Sequence, residues 1–381
     1  MQIETIQNLF LKNKEVSLNH RYITNKHIEP VLNKLSKNVS IEILGTSVLN
    51  KPIYGLTIGN GPKKILMWSQ MHGNESTTTK ALFDLLNTFI NSKTETSHIL
   101  EACTLCIIPI LNPDGAKAYT RINANEVDLN RDAQNLTQPE SKVLRAVFKS
   151  FKPHFCYNLH GQRTIFSAGA TNNIATVSFL APAQDEACTV TPNRTRAMEI
   201  IDVMNRALQT LIPGQVGVYD DAFNINCVGD TFQSENIPTI LFEAGHYPND
   251  YARDITREYI YISYLTSLDY ISKNAITGEH HKGYFNIPEN DKLFLDVILR
   301  QVKTDAGLVD IGFLFQERLV DETVTFMPKV DRIGDLSQFY GHKTINVNGL
   351  KVFNHNNEEL EIGYENDFVI INNEKIPLFS K

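Results

Sequence analysis

The sequence of 381 residues lacks any apolar run approaching the roughly 20 residues that a membrane-spanning helix requires. It also lacks the basic opening of a secretory signal peptide, since residues 1–5 contain no lysine or arginine and charged residues soon follow. Neither an internal repeat nor a low-complexity tract is present. These absences predict a globular cytoplasmic protein without a membrane partner.

An excess of basic residues is also missing. Lys and Arg number 36 against 43 Asp and Glu, which gives a net charge of -7 and argues against a nucleic-acid partner. The five cysteines form an odd set, and most lie in apolar, strand-like runs, which indicates reduced core residues. Cys103 and Cys106 have the spacing of a redox or zinc motif. Their apolar setting without a second pair favours a buried strand instead.

Apolar residues make up 42% of the chain, and their periodicity predicts alternating strands and helices. Such alternation favours an α/β sheet covered on both faces. A broken helical pattern over residues 5–36 comes first. The predicted strands are 39–48, 52–58, 64–69, 104–111, 155–160, 177–181 and 239–243, and the predicted helices are 76–90, 139–151, 192–211 and 251–271.

The pattern changes at about residues 274–290, which are polar and rich in turn formers. Beyond them short strands dominate, and the two central residues of Val347-Asn348-Gly349-Leu350 are typical of a β-hairpin turn. We therefore predict two domains: an α/β domain over residues 1–275 and a small β domain or appendage over 285–381.

Polar residues follow several of the predicted strands. His72 and Glu75 come after one strand, Asp114 after a second, His160 ends a third and Glu243 a fourth. In an open α/β sheet, functional sites form at the carboxyl ends of the strands. Two histidines and one carboxylate with a position left for water are the ligand set of a catalytic zinc.

A carboxylate at the end of an apolar strand needs a partner or a shifted pKa, and Glu243 is such a group. It is interpreted either as a general base or as half of a buried ion pair.

Asn130 and Arg131 form an adjacent pair able to bind a carboxylate, with Arg121 as a second cation. Surface ion pairs with nearby aspartates are the alternative for these arginines.

The order of the motifs resembles the zinc carboxypeptidase family over roughly residues 40–272. These motifs are His-Gly-Asn-Glu, Asn-Pro-Asp-Gly, Val-Asp-Leu-Asn-Arg, a histidine that ends a strand, and Phe-Glu. The resemblance implies a three-layer α/β/α fold with a mixed, mostly eight-stranded sheet, and one Zn²⁺. It also implies a role for each of the matching residues: His72, Glu75 and His160 as zinc ligands, Glu243 as general base, Arg121 at the oxyanion, and Asn130 and Arg131 at the substrate carboxylate.

The segment around Asp230 resembles the wall of the family's specificity pocket, where an acidic group favours a basic side chain. The family's substrate-capping tyrosine has two candidates, Tyr219 and Tyr247. The substrate predicted in this way is a peptide. A deacylase resembling aspartoacylase and succinylglutamate desuccinylase, acting on a small acylated amino acid, is the alternative function, and a non-catalytic binding module is a second one.

Overall fold

The computed structural model describes residues 1–379 and divides into two compact units. The first unit comprises Met1–Gln162 and Ala175–Asn290, and the second comprises Arg163–Ile174 and Asp291–Lys381. The chain therefore leaves the first unit briefly before returning to it. The sequence-based boundaries at 275 and 285 stay a prediction about domains.

The first unit is built on a mixed eight-stranded sheet in the order β1-β2-β4-β3-β5-β9-β7-β8. Strands β4, β3, β5 and β9 are neighbours and run parallel, whereas β1, β2 and β7 introduce antiparallel pairings. The eight strands are β1 (Ser40–Thr46), β2 (Pro52–Ile58), β3 (Lys63–Ser69), β4 (Cys103–Ile108), β5 (Phe155–Gly161), β7 (Val177–Leu180), β8 (Val216–Val218) and β9 (Thr239–Ala244).

Nine α-helices accompany this sheet among the described residues. They are α1 (Ile3–Asn13), α2 (Asn25–Leu35), α3 (Thr77–Asn91), α4 (Lys93–Ala102), α5 (Pro113–Ala118), α6 (Pro139–Phe151), α7 (Pro192–Gln209), α8 (Val228–Ser234) and α9 (Asp254–Lys273). Short 3₁₀ turns lie at Leu129–Arg131 and His281–Asn286.

Alternating strand residues point to two separate cores. Ile65 and Met67 of β3 pack in the core that contains residues of α3, α7 and α9, whereas Leu66 and Trp68 pack in the core of α6 and α8. Helices thus cover both faces of the sheet, which confirms the predicted three-layer α/β/α architecture. Strands β3, β4 and β5 in the middle of the sheet are largely buried on both faces, and this explains their continuous apolar sequence.

One local prediction is corrected. The helical pattern over residues 5–36 is two helices, α1 and α2, joined by a non-helical connection over residues 14–24. The motif Asn-Pro-Asp-Gly at residues 112–115 forms the start of α5: Asn112 caps this helix by accepting a hydrogen bond from the Gly115 amide, and Pro113 occupies its first turn. Helix α4 was not predicted from the sequence.

The second unit contains most of the remaining strands. One sheet has the order β13-β12-β11-β14 and another the order β15-β16-β17. The strands are β6 (Ser167–Ala168), β10 (Asn290–Asp291), β11 (Phe294–Thr304), β12 (Gly307–Val320), β13 (Thr323–Gly334), β14 (Tyr340–Asn346), β15 (Val352–Phe353), β16 (Phe368–Ile371) and β17 (Glu374–Pro377), with β6 and β10 forming a separate pair. The predicted C-terminal β region is confirmed.

The predicted hairpin at Val347–Leu350 is wrong, although the turn itself forms. Leu350 donates its amide to the Val347 carbonyl at 3.2 Å, and Asn348 and Gly349 both have positive φ. The flanking strands do not pair, because β14 runs parallel to β11 and β15 joins a different sheet.

Among residues 1–379, none of the helices is both long enough and apolar enough to cross a membrane. All five cysteines are free thiols. Cys103, Cys106 and Cys156 are buried in strands, in agreement with the core role predicted for most of the cysteines.

Candidate metal centre

The carboxyl ends of the four neighbouring parallel strands meet at one edge of the sheet, and the predicted site residues lie there. His160 of β5 stands in register with Glu243 of β9, so the two side chains are neighbours on the same face. His72 and Glu75 follow the end of β3, which lies on the other side of β5. Chain segments distant in sequence are thereby brought to one point.

The turn that carries His72 is held by the segment that begins α5. Asn112 donates its side-chain amide to the Met71 carbonyl at 3.2 Å and its backbone amide to the Gln70 carbonyl at 3.0 Å. A Cβ atom on Gly73 would lie only 2.0 Å from the carbonyl carbon of Gly115. Glycine at position 73 therefore permits the close approach of the two backbones.

His72, Glu75 and His160 form the one group of three potential metal ligands found among the described residues. Their ligand atoms lie within 4.8 Å of one another. The Nδ1 atoms of the two histidines are 3.1 Å apart, while Glu75 places Oε1 2.9 Å from His72 Nδ1 and Oε2 3.0 Å from His160 Nδ1. Three donor atoms thus converge on a single point.

These separations fit a zinc ion. Tetrahedral bonds of about 2.0–2.1 Å put neighbouring ligand atoms roughly 3.3 Å apart, close to the distances observed. Two imidazole nitrogens and a carboxylate are also the donor set that zinc prefers. His72, Glu75 and His160 are therefore the residues suited to hold the ion.

For two of the three residues, His160 and Glu75, the electrostatics of the group favour the protonation states that metal binding requires. Burial lowers the pKa of His160 below its ordinary value, which favours the neutral imidazole. Burial acts to raise the pKa of Glu75, but His72 and His160 outweigh it and hold this pKa below its usual range. Burial likewise acts to lower the pKa of His72, and the carboxylates of Glu75 and Asp128 raise it instead.

Glu243 lies beside the three-residue group without belonging to it. Its Oε2 atom is buried and has no hydrogen-bond partner. Burial, and next the nearby charge of Glu75, raise the pKa of Glu243 well above its ordinary value. A raised pKa makes this carboxylate a stronger base than an ordinary glutamate, and its Oε2 atom has no other hydrogen-bond partner, which are properties of a group that exchanges protons.

Asp128 is a site residue that the sequence interpretation missed. Its Oδ1 atom accepts hydrogen bonds from His72 Nε2 at 3.0 Å and from the Asn130 amide at 2.9 Å, and its Oδ2 accepts one from Arg121 Nε at 3.1 Å. One carboxylate therefore orients a metal-ligand candidate and an arginine together. The only signal in the sequence was the position of Asp128 two residues before Asn130.

Arg121 and Arg131 differ in their surroundings. Arg121 is half exposed and extends along the ligand group, with Nη1 3.7 Å from Glu75 Oε1. Arg131 is exposed, and its Nη1 contacts the Asn130 carbonyl at 2.8 Å and Cys227 Sγ at 3.1 Å. The surface ion pairs weighed for Arg131 do not form, whereas Arg121 does pair with Asp128.

The region around Asn130 is tied to the start of α8. The Asn130 side chain accepts a hydrogen bond from the Val228 amide at 3.0 Å. Asp230, in the first turn of this helix, is 8% exposed and accepts a hydrogen bond from the Asn224 amide. Burial raises its pKa to about 6, so the carboxylate is mostly charged at neutral pH. Its place in a substrate pocket stays a prediction.

The two tyrosine candidates have different neighbours. Burial raises the pKa of Tyr219, and the next contributions come from Glu243 and Glu75, so Tyr219 lies within electrostatic reach of the metal centre. Tyr247 instead packs its ring against Tyr259 of α9, with centroids 5.9 Å apart. Of the two, Tyr219 has the site residues among its neighbours.

Comparison with known proteins identifies the family. The model of the zinc carboxypeptidase family matches residues 24–231, more than half of the chain. The chain belongs to the zinc carboxypeptidase family. The matched region contains every predicted ligand, and Glu243 lies beyond its end. The enzyme class predicted from the motifs agrees with this membership.

Individual relatives are distant. Carboxypeptidase SOL1 of Arabidopsis thaliana is 29% identical over 169 residues, which are 38% of this chain and 34% of that protein. Carboxypeptidase 2 of Trichophyton rubrum is 28% identical over 100 residues, 26% of this chain and 19% of that protein. The chain thus matches about a fifth to a third of the length of these relatives.

A solved structure supports the fold. The metallo-carboxypeptidase from Burkholderia cenocepacia has a TM-score of 0.51 at 16% identity, and the match covers 65% of this chain and 70% of that one.

Replacing Asp128 with asparagine should weaken zinc binding by roughly 10- to 100-fold, because the group that orients His72 loses its charge. Zinc affinity measured by competition with a chromophoric chelator checks this. Asp132→Asn is the matched control, since the Asp132 carboxylate accepts hydrogen bonds from the backbone of Thr137 and Gln138 instead. Equal zinc affinities for the two variants would contradict the role given to Asp128.

Proposed function

We propose that this protein is a zinc metallocarboxypeptidase that hydrolyses the peptide bond next to a free C-terminal carboxylate. The observation that carries the proposal is the convergence of His72, Glu75 and His160 within 4.8 Å, beside Glu243 and Arg121. Membership of the zinc carboxypeptidase family supports the reaction type. The overlap with individual relatives is too short to supply the substrate.

Zinc, when bound, supplies a Lewis acid that activates water and polarises the substrate carbonyl. Glu243 takes the proton from the attacking water at its free Oε2 atom and returns it to the leaving amine. Arg121 is positioned by Asp128 to donate hydrogen bonds to the carbonyl oxygen as negative charge develops there. Asn130 and Arg131 bind the C-terminal carboxylate and thereby fix which bond is cut.

A panel of peptides tests the proposal. Purified protein loaded with one equivalent of zinc should release single C-terminal amino acids, measured by mass spectrometry. Peptides with an amidated C-terminus should remain intact, because Arg131 then has no carboxylate to bind. Turnover of acetylaspartate or succinylglutamate with every peptide inert would establish the deacylase alternative instead. A protein that binds no zinc would favour a binding module.

Arg131→Ala should raise KM for peptides by roughly 10- to 100-fold while kcat changes little, because a charged hydrogen bond to the carboxylate is lost. Steady-state kinetics on one good peptide substrate measure both constants. Arg131→Lys should recover only part of the loss, since lysine keeps the charge but not the two-pronged geometry. A fall in kcat with unchanged KM would assign Arg131 to the reacting bond rather than to the carboxylate.

A further inference from the structure

The turn that carries His72 and Glu75 has an unusual feature at its beginning. Gln70 has φ of +43°, in the left-handed region that residues other than glycine, asparagine and aspartate rarely occupy. Its side chain is fully buried. Backbone strain at a functional site persists only where surrounding contacts enforce it. The contacts of Gln70 therefore indicate what enforces the shape of this turn.

The side-chain amide of Gln70 makes two hydrogen bonds. Nε2 donates to the Gly73 carbonyl at 2.8 Å, inside the metal-binding turn, and to the Ile23 carbonyl at 3.0 Å. Gly73 is the residue directly after His72. One amide group thus joins the turn between the candidate ligands to a remote segment of the chain.

That remote segment is the connection between α1 and α2, residues 14–24, here called the N-terminal connection. Its beginning is anchored by Arg257, which donates to the Glu15 carbonyl at 2.9 Å, and by Asp84, which accepts the Glu15 amide at 2.7 Å. Arg257 and Asp84 form a fully buried ion pair at 2.6 Å. The connection is therefore a fixed support rather than a loose loop.

Near its end, the N-terminal connection reaches the metal-binding turn a second time. Ser76, the residue after Glu75, donates its hydroxyl to the Arg21 carbonyl at 2.5 Å. The match to the zinc carboxypeptidase model begins only at residue 24, so nearly all of the connection lies outside it. This chain thus braces its metal-binding turn with a segment that the family model does not include.

We propose that Gln70 is a positioning residue that couples the N-terminal connection to the metal-binding turn and pre-shapes the turn for zinc. This role presupposes the zinc site proposed above. Gln70 does not touch the ion. It fixes the carbonyl of Gly73 and hence the path of the backbone between His72 and Glu75, so that less ordering is required when zinc binds.

Gln70→Gly tests the amide separately from the backbone. Glycine adopts φ of +43° without strain, so this variant keeps the turn accessible while removing both hydrogen bonds together with the buried side chain that makes them. We expect zinc affinity to fall by about tenfold or more and the visible spectrum of the cobalt-substituted protein to change. Gln70→Asn, which keeps an amide on a residue that tolerates positive φ, should recover part of the affinity.

The control variant is Asn13→Ala. The Asn13 amide is also buried and also bridges two groups, the Leu9 carbonyl and the Ser92 hydroxyl, but it does not contact the metal-binding turn. It should lower the melting temperature without changing zinc affinity or the cobalt spectrum. Gln70→Gly with wild-type affinity and spectrum would overturn the proposal, whatever its melting temperature.

A measurement on the unaltered protein covers the case in which Gln70→Gly fails to fold. Coupling is reciprocal, so zinc binding must stabilise the N-terminal connection if the connection favours zinc binding. Zinc should therefore slow backbone hydrogen exchange in peptides covering residues 14–24. Unchanged exchange there would overturn the proposal. Wild-type protein that binds no zinc would instead refute the proposed function, so the two failures are distinguishable.

Discussion

Glu243→Gln should leave zinc bound and lower kcat for peptide hydrolysis by roughly 10³-fold, within the usual range for loss of a general acid–base group. Glutamine has the same shape but cannot accept the proton from water. Zinc should remain, because Glu243 is not one of the three residues whose ligand atoms converge. The two measurements are kcat on a peptide substrate and metal content by elemental analysis.

Glu199→Gln is the matched control for this substitution. Glu199 is a buried carboxylate that accepts hydrogen bonds from the Tyr270 hydroxyl and the Gly278 amide, remote from the metal ligands in sequence and contacts. Its loss should affect stability rather than kcat. Activity retained in Glu243→Gln would remove the base from the mechanism and shift that task to another group.

His160→Ala should remove zinc binding at micromolar metal and abolish activity. Two donor atoms, from His72 and Glu75, cannot supply the three protein ligands of a catalytic zinc site. We expect the loss of affinity to exceed the roughly 10- to 100-fold typical of residues that only orient a ligand. Zinc titration followed by calorimetry, with peptide hydrolysis measured in parallel, provides the test.

His98→Ala is the control, because it removes a histidine that is not a predicted zinc ligand. His98 is exposed by 36% and pairs with Asp269 at 2.7 Å, so its removal should leave both zinc binding and turnover intact. If His160→Ala bound zinc as tightly as the His98 variant, the ion would have to lie elsewhere in the chain.

The outline of the fold was accessible from sequence because its signals are local. Helix α6 was predicted with its observed bounds, since Pro139 marks its first turn and one face is apolar. Strands β4 and β5 have continuous apolar sequences because both of their faces are covered. The edge at which His72, His160 and Glu243 meet followed from the common direction of the parallel strands that precede them.

Features of the site that depend on contacts between distant parts of the chain could not be predicted from the sequence. Gln70 has no local sequence signal, and Asp128 has only its position beside Asn130; their roles are visible only in their contacts with the Ile23 carbonyl and with His72 Nε2. The N-terminal connection interrupts an otherwise helical pattern because its backbone bonds go to Arg257, Ser76 and Gln70 rather than along a helix. Tertiary hydrogen bonds override the helical pattern here.

The failed hairpin has a similar cause. Asn348 and Gly349 have the positive φ values that a two-residue turn requires, as their sequence predicts. A turn signal fixes the direction of the chain over a few residues only. It does not decide which strand pairs with β14, and the parallel partner β11 supplies the hydrogen bonds instead.

Residues 163–174, here called the excursion, belong to the second unit although the first unit precedes and follows them in the chain. This arrangement has a consequence for gene design. Within the second unit, Ile165 accepts a hydrogen bond from the Phe294 amide at 3.0 Å and Thr164 accepts one from His342 at 2.8 Å. A protein truncated after residue 290 would lack Phe294 and His342. Thr164 and Ile165, which lie only a few residues after His160, would then lose these hydrogen-bond donors. The two ends of the excursion adjoin, since Gln162 Nε2 lies 2.6 Å from the Ala175 carbonyl oxygen. Expressing the first unit by itself therefore calls for replacing the excursion with a tight linker as well as choosing a new C-terminus.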